Sequence, residues 1–126
     1  SNAGEKKQDE LVVYHGGCYS PVRGRWFRKI YAAGKEKNIM FRHASDIDVG
    51  GFRIFTRLKN EIIPELIPYH MDIETYGKYK KYGTDFDEKY AQILQGMLAD
   101  EQYKVFHSVI LHMLDDRIRI EQEIMI

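Results

Sequence analysis

Short apolar runs alternate with longer segments of helical periodicity over the first 71 residues of this 126-residue chain. The runs at residues 11–14, 39–43 and 66–71 indicate buried strands. Segments 20–33 and 50–62 indicate helices, because their apolar residues recur every three to four positions. Strands that alternate with helices predict an α/β fold, with a small, mostly parallel sheet, helices on both faces and right-handed crossovers.

The helix over residues 20–33 has recognisable start and stop signals. Ser20 and Pro21 suit its cap and first turn, and Gly34 suits the position just past its end. Its apolar residues fall on one stripe, which consists of Trp26, Phe27, Ile30 and Tyr31.

The second half of the chain is predicted to be helical over residues 85–98, 100–114 and 117–126. Between Tyr76 and Tyr82, three lysines are interleaved with three tyrosines. Such a segment either stacks on bases and pairs with phosphates, or forms a solvated loop whose tyrosines lean on the core.

Length and composition suit one domain. Residues 1–3 have the sequence of an expression-tag scar, and we expect residues 4–126 to form a single domain, the C-terminal fragment of a longer protein. A hydrophobic content of 44% argues against disorder. No apolar run approaches the roughly 20 residues that span a bilayer. The single cysteine, Cys18, fits a reducing compartment, so a cytoplasmic protein is expected.

The formal net charge is zero, but the charges are unevenly distributed. Residues 21–60 contain ten Lys or Arg against three Asp or Glu, whereas residues 61–126 contain seven against thirteen. This asymmetry indicates either a basic face that binds phosphates or helices that simply carry solvated charges. The candidate DNA-binding residues are Arg25, Arg28, Arg42, Lys78, Lys80 and Lys81.

Two carboxylates, Asp46 and Asp48, follow a predicted strand and precede a predicted helix. Open α/β sheets usually hold their sites at this end of a strand. Both carboxylates could bind one Mg²⁺ or Mn²⁺ ion, and Gly50-Gly51 would let a phosphate approach the helix N-terminus. The alternative is that Asp48 caps the helix while Asp46 lies in a turn.

Polar side chains also follow the other two predicted strands. His15 ends the first strand, and Asp72 and Glu74 follow the third. Because adjacent parallel strands end at the same edge of a sheet, we expect His15 and Asp72 to lie near Asp46 and Asp48. His15 would then be a ligand, an acid–base group or a polar loop residue, and Asp72 a third metal-binding carboxylate.

Three separated blocks carry a resemblance to a known family. The order of strand, Asp46-x-Asp48-x-x-Gly51 and helix resembles the second signature of Toprim domains. Together with the blocks at residues 69–75 and 121–123, it resembles the C-terminal domain of Wadjet JetD nuclease subunits, once catalogued as a domain of unknown function. The remaining residues that match this family are Gly50, Glu74, Glu121 and Glu123.

The resemblance implies a Toprim fold, which is a Rossmann-type α/β sandwich, and Mg²⁺-dependent cleavage of double-stranded DNA in bacterial anti-plasmid defence. It also implies SMC-type, condensin-like partner subunits and a homodimer, and it assigns Asp46 and Asp48 to metal binding. The chain departs from the Toprim pattern where the first strand ends, because His15 stands in place of a glutamate. Either His15, Asp72 or Glu74 substitutes for it, or the domain is a catalytically degenerate module that binds DNA or protein.

Overall fold

The computed structural model describes residues 9–14 and 21–125, and it begins with two β-α units and a third strand. β1 spans Glu10–Tyr14, α1 Pro21–Glu36, β2 Met40–Ala44, α2 Val49–Glu61 and β3 Ile67–Pro68. The three strands are parallel and lie in the order β1-β2-β3. The predicted α/β class with a small parallel sheet is therefore confirmed.

The rest of the described chain is mostly helical, as predicted. It consists of α3 (Ile73–Tyr79), a 3₁₀ turn (Lys80–Tyr82), β4 (Thr84–Asp85), α4 (Glu88–Leu98), a 3₁₀ helix (Glu101–Phe106), α5 (His107–Asp116), β5 (Ile118–Arg119) and α6 (Gln122–Met125). β4 and β5 pair in antiparallel fashion. None of the helices in these described segments is long and apolar enough to cross a bilayer.

α1 and α2 pack against the same face of the sheet. Phe41 and His43 occupy alternate positions of β2 and therefore point to one face. The Phe41 ring lies 5.4 Å from that of Tyr31 in α1, and the His43 ring lies 6.0 Å from that of Phe55 in α2. Arg42 points to the opposite face, where side chains of α3 and α6 line a cleft. The sheet thus has helices on both faces.

α2 lies between the sheet and the C-terminal helices. Its side chains Phe52, Phe55 and Leu58 are buried. Phe52 stacks on Phe106 with 4.5 Å between ring centroids, and Phe55 meets the same ring edge-on at 5.1 Å. Burying each of these side chains contributes about 1.5–3 kcal/mol. This packing fixes the N-terminus of α2, where the acidic turn lies.

The prediction that α1 ends at Gly34 is wrong, because the helix continues to Glu36. Gly34 is buried, and a Cβ at this position would collide with the ring of Phe41. The glycine therefore lets α1 approach the sheet closely. The left-handed residue beyond the helix end is Asn38, with φ 55°.

Trp26 is also placed differently from what its position on the apolar stripe suggests. It is 54% exposed, whereas its neighbour Phe27 is buried. The two rings meet edge-on at 5.0 Å. The stripe of α1 that faces the sheet is therefore narrower than the sequence pattern indicates.

The region after β2 contains less strand and more helix than predicted. The third strand has two residues rather than six, because His70 turns the chain with φ 54°. The lysine-tyrosine segment, for which a loop was one expectation, is mostly helix α3 and the 3₁₀ turn that follows it. α3 begins at a cap, since Asp72 Oδ1 accepts the Thr75 N–H at 2.8 Å.

The C-terminal boundaries also differ from the prediction. The helix expected at residues 85–98 begins at Glu88, after β4. The helix expected over residues 100–114 is a 3₁₀ helix followed by α5. Arg117, with φ 61°, ends α5, so residues 117–126 are not one helix.

Candidate metal centre and adjoining cleft

The acidic turn is anchored to the C-terminal segment of the chain. Ile47, which lies between the two aspartates, forms an isolated antiparallel bridge with Ile120. The Ile47 N–H donates to the Ile120 carbonyl at 2.8 Å, and the reciprocal bond is 3.1 Å. Both side chains are fully buried. The bridge therefore holds the turn in place from a part of the chain more than 70 residues away.

Asp48 caps α2, which is the alternative that its spacing left open. Its Oδ1 accepts the N–H of Gly51 at 2.7 Å, and its backbone is extended, as a cap requires. A Cβ at Gly51 would collide with the carbonyl oxygen of Asp46, so only glycine fits the turn there. Asp48 is 9% exposed. The carboxylate is thus fixed in position rather than free to move.

Asp46 is bound by the C-terminal segment of the chain. Its Oδ1 accepts the backbone N–H of Gln122 at 2.6 Å. Because Gln122 lies between Glu121 and Glu123, this hydrogen bond brings the third family block onto the acidic turn. The sequence alone offered no physical role for these glutamates, and the structure adds that they lie near Asp46.

The four carboxylates influence one another electrostatically. Burial raises the pKa of Asp48 to about 6, the hydrogen bond from Gly51 opposes this rise, and the charges of Asp46 and Glu121 add to it. A hydrogen bond with Glu121 raises the pKa of Glu123, and the charge of Asp46 contributes in the same direction. Mutual repulsion of this kind is what a bound cation relieves.

Arg119 and Tyr90 border the same cluster. The charge of Arg119 lowers the pKa of Asp48, and its guanidinium lies 5.5 Å from the Tyr90 ring centroid. The Tyr90 hydroxyl accepts the Val49 N–H at 2.8 Å, and burial raises the pKa of Tyr90. Neither residue was singled out from the sequence, because no local pattern links them to the turn.

The donor set fits a divalent cation that keeps part of its water shell. Oδ1 of Asp46 and Oδ1 of Asp48 each accept a backbone N–H, and Oδ2 of each accepts no hydrogen bond from the described residues. Within residues 9–14 and 21–125, no three His, Cys, Asp or Glu side chains are arranged to hold an ion by themselves. Mg²⁺ usually takes one or two carboxylates and several waters. The pair is compatible with that mode of binding.

Two of the other predicted strand-end residues, Asp72 and Glu74, do not join this cluster. His15 lies outside the described residues. Asp72 caps α3 and is not among the charges that act on Asp48. Partial burial alone would raise the pKa of Asp72, but hydrogen bonds from Thr75 bring it below its ordinary value. Asp72 and Glu74 instead line the adjoining cleft.

The cleft encloses about 400 Å³ at the carboxyl ends of β2 and β3. Its polar lining comes from β2, α3 and α6 and from the loops that follow β2 and β3. It includes Arg42, Ser45, Tyr69, His70, Asp72, Glu74, Thr75, Lys78, Tyr79 and Gln122. Gln122 connects the two features, because its backbone binds Asp46 while the residue also lines the cleft.

The six predicted DNA-binding residues are not brought to one surface. Arg42 and Lys78 line the cleft. Arg28 donates to the Glu61 carbonyl at the far end of α2, about 18 Å along that helix from the acidic turn. Arg25 is exposed on α1. The others lie beyond α3, where Lys80 pairs with Asp116 at 3.3 Å and Lys81 lies 5.2 Å from the Tyr82 ring.

A parallel sheet with an acidic turn at its carboxyl edge defines this chain as a Rossmann-like α/β domain. The family model described as "Wadjet protein JetD, C-terminal" matches residues 2–126, so the chain belongs to the family of JetD C-terminal domains. The Wadjet protein JetD of Bacillus cereus (strain Q1) is 34% identical over 122 residues, or 97% of this chain. The chain spans 30% of the length of that relative. No solved structure matches it.

Proposed function

We propose that this chain is the Toprim-type, DNA-cleaving domain of a Wadjet JetD protein, and that it uses Mg²⁺ or Mn²⁺ in bacterial anti-plasmid defence. The observation that carries the proposal is the hydrogen bond from the Gln122 N–H to Asp46, which places Glu121 and Glu123 beside the acidic turn. Membership of the JetD family supports it, because the residues matched by the family model, 2–126, include both segments.

Asp46 and Asp48 would hold the ion through the oxygens that do not bind backbone. When bound, a divalent cation stabilises charge on a phosphodiester and lowers the pKa of water. The chain itself supplies carboxylates that are preorganised by backbone hydrogen bonds. Preorganised ligands lose little conformational entropy when an ion binds.

Glu121 and Glu123 are candidates for the role of the glutamate that Toprim domains place after their first strand. The two side chains share a hydrogen bond, which raises the pKa of Glu123. In this role, one of the two carboxyl groups would donate a proton to the leaving oxygen. We propose them for this role alongside His15, and in place of Asp72 and Glu74, which line the adjoining cleft.

The natural setting follows from the same proposal. The substrate would be double-stranded DNA, and the partners would be the SMC-type, condensin-like subunits of a Wadjet complex. We also propose a homodimer and a cytoplasmic location.

Plasmid cleavage by the full-length protein that contains this domain tests the proposal. Asp48→Asn keeps an oxygen that can accept the Gly51 N–H but removes the charge. Asp87→Asn makes the same change at the cap of α4, outside the cluster and the cleft. We expect Asp48→Asn to lower the rate of cleavage by at least about a hundredfold. We expect Asp87→Asn to cleave at the wild-type rate, and equal rates for the two variants would contradict the proposal.

A second candidate function is a catalytically degenerate module that binds DNA or protein. Two observations favour it: Asp48 is engaged as a helix cap, and the described residues contain no three-ligand metal group. This function predicts that the wild-type full-length protein cleaves no plasmid with any divalent metal. Robust cleavage that is lost in Asp48→Asn would exclude it.

A further inference from the structure

The cleft is distinct from the metal centre but borders it. It is lined by Arg42 of β2, by Lys78 and Tyr79 of α3, and by Gln122 of α6. Its volume of about 400 Å³ falls in the range of small-molecule sites. The proposed metal centre uses none of this volume.

Gln122 provides a buried hydrogen-bond donor at the cleft. The residue is 8% exposed, and its Nε2 has no acceptor within residues 9–14 and 21–125. Native proteins rarely bury an amide without a partner, because the lost hydration is not replaced. The bond from its backbone to Asp46 holds Gln122 in place. A ligand with an acceptor atom would satisfy this donor.

Arg42 provides a second donor of the same kind. Its Nη2 pairs with Glu10 at 3.0 Å, and its guanidinium lies 5.8 Å from the Tyr69 ring centroid. These contacts orient the group. Its Nε is buried and finds no acceptor in the part of the chain that the structure describes.

Lys78 adds a positive charge to the lining. Its Nζ lies 5.3 Å from the Tyr79 ring centroid and pairs with no carboxylate among the described residues. Two carboxylates, Asp72 and Glu74, also line the cleft. Asp72 is already engaged by the N–H of Thr75. The cleft therefore offers three donors, one of which, Arg42, also pairs with Glu10. They face two carboxylates, one of which, Asp72, is engaged as a helix cap.

We propose that the cleft binds a phosphate group of a nucleotide, free or within a DNA strand, through Arg42, Lys78 and Gln122. A phosphate presents only acceptor oxygens and a negative charge, which match these donors. The rings of Tyr69 and Tyr79 offer surfaces against which a base can pack. The choice of a nucleotide phosphate rests on the proposed nuclease function. A phosphate bound by the Gln122 side chain would lie beside Asp46.

Titration of the ¹⁵N-labelled 126-residue chain in EDTA tests this proposal without metal and without cleavage. The probes are inorganic phosphate, deoxyadenosine monophosphate, deoxyadenosine and a short DNA duplex. The readout is the side-chain amide signal of Gln122, which is assigned by its absence in Gln122→Leu. We expect the nucleotide to shift this signal in a saturable manner and deoxyadenosine to leave it unchanged.

Lys78→Gln and Lys81→Gln form a matched pair of variants. Both lysines are exposed and each lies beside a tyrosine ring, but only Lys78 lines the cleft. We expect Lys78→Gln to weaken nucleotide binding about tenfold or more, and Lys81→Gln to change it less than twofold. Gln122→Leu should weaken binding without lowering the melting temperature, because it removes an unpaired buried donor.

The outcome with each probe supports or contradicts phosphate binding in the cleft. Saturable shifts with the nucleotide alone support a free-nucleotide ligand, and shifts with the duplex support a phosphate of the DNA backbone. No shift with any phosphate probe overturns the proposal, as does binding that Lys78→Gln leaves unchanged. Failure of the metal centre would abolish cleavage but leave these shifts intact, so the two proposals fail separately.

Discussion

The backbone N–H of Gln122 donates to Oδ1 of Asp46 at 2.6 Å and joins segments that are 76 residues apart. Gln122 is flanked by Glu121 and Glu123, and Asp48 follows Asp46 by two residues. Together with the bridge between Ile47 and Ile120, this hydrogen bond brings four carboxylates from two distant segments of the chain close to one another. Gln122 borders the cleft, so it also links the proposed metal centre to the proposed phosphate site.

Asp48 has a structural role that can be separated from a chemical one. Asp48→Ala removes the cap of α2 and should lower the free energy of unfolding by about 1–2 kcal/mol. Asp48→Asn keeps an acceptor for Gly51 and removes a buried charge, so its stability should equal or exceed that of the wild type at neutral pH. Urea denaturation measures both. If the two variants are equally destabilised, capping is not the structural role of Asp48.

The stability of the domain should depend on pH through Asp48. Its pKa is about 6 in the folded chain, against 3.8 for the ordinary value. A raised pKa means that the folded state binds the proton more tightly than the unfolded state. The stabilisation that protonated Asp48 adds to the free energy of unfolding is therefore fully present below about pH 4. It is lost as the pH rises through 6. The loss is about 3 kcal/mol, from roughly 1.4 kcal/mol for each pKa unit.

The control for this effect is Asp48→Asn, which does not titrate. The difference in unfolding free energy between wild type and Asp48→Asn should change between pH 4 and pH 7, in favour of the variant at the higher pH. Urea titrations at four pH values measure it. A difference that is constant with pH would show that Asp48 titrates normally.

Gly51 should not tolerate a side chain. A Cβ there would overlap the carbonyl oxygen of Asp46, which is backbone and cannot rotate away. Gly51→Ala should therefore lower the melting temperature strongly, with a cost of about 3 kcal/mol or more. Gly96→Ala is the control, since nothing lies within 4 Å of its Cβ position in α4. Calorimetry should show that it stabilises the domain by about 0.5–1 kcal/mol.

Tyr76 should stabilise the fold rather than contact a base. It is fully buried, and its hydroxyl donates to Asp116 Oδ2 at 3.0 Å. Tyr76→Phe should cost about 1.5–3 kcal/mol of stability, since it removes one hydrogen bond to a charged group. Tyr82→Phe should have no effect, because Tyr82 is 57% exposed. A chemical denaturation series with both variants distinguishes these roles, and equal stabilities would contradict the assignment.

The spacing of apolar residues predicted the parallel sheet and the two helices, α1 and α2, that pack against one of its faces. β1, β2 and α2 lie within one or two residues of their expected positions, because hydrophobic periodicity reports burial directly. The end of α1 was predicted wrongly at Gly34, because glycine occurs both just past helix ends and inside helices that pack closely against a neighbour. α3 was not predicted because its apolar and charged residues are interleaved.

Contacts between residues far apart in the sequence could not be predicted from these patterns. β4 and β5 are two residues each and pair across about 30 residues of chain, so neither has a recognisable run. The spacing of Asp46 and Asp48 identified the acidic turn correctly as a feature at the end of a strand. The bond from Gln122 to Asp46 had no local signal, and only the family match at Glu121 and Glu123 marked that segment.

Binding of Mn²⁺ to the 126-residue chain tests the proposed metal centre at Asp46 and Asp48. Electron paramagnetic resonance of free Mn²⁺ gives the stoichiometry and affinity, with Asp46→Asn and Asp48→Asn as variants and Asp87→Asn as the control. We expect one saturable site, whose affinity falls about tenfold or more in both variants and is unchanged in the control. Absence of saturable binding, or equal affinity in all four proteins, would contradict it.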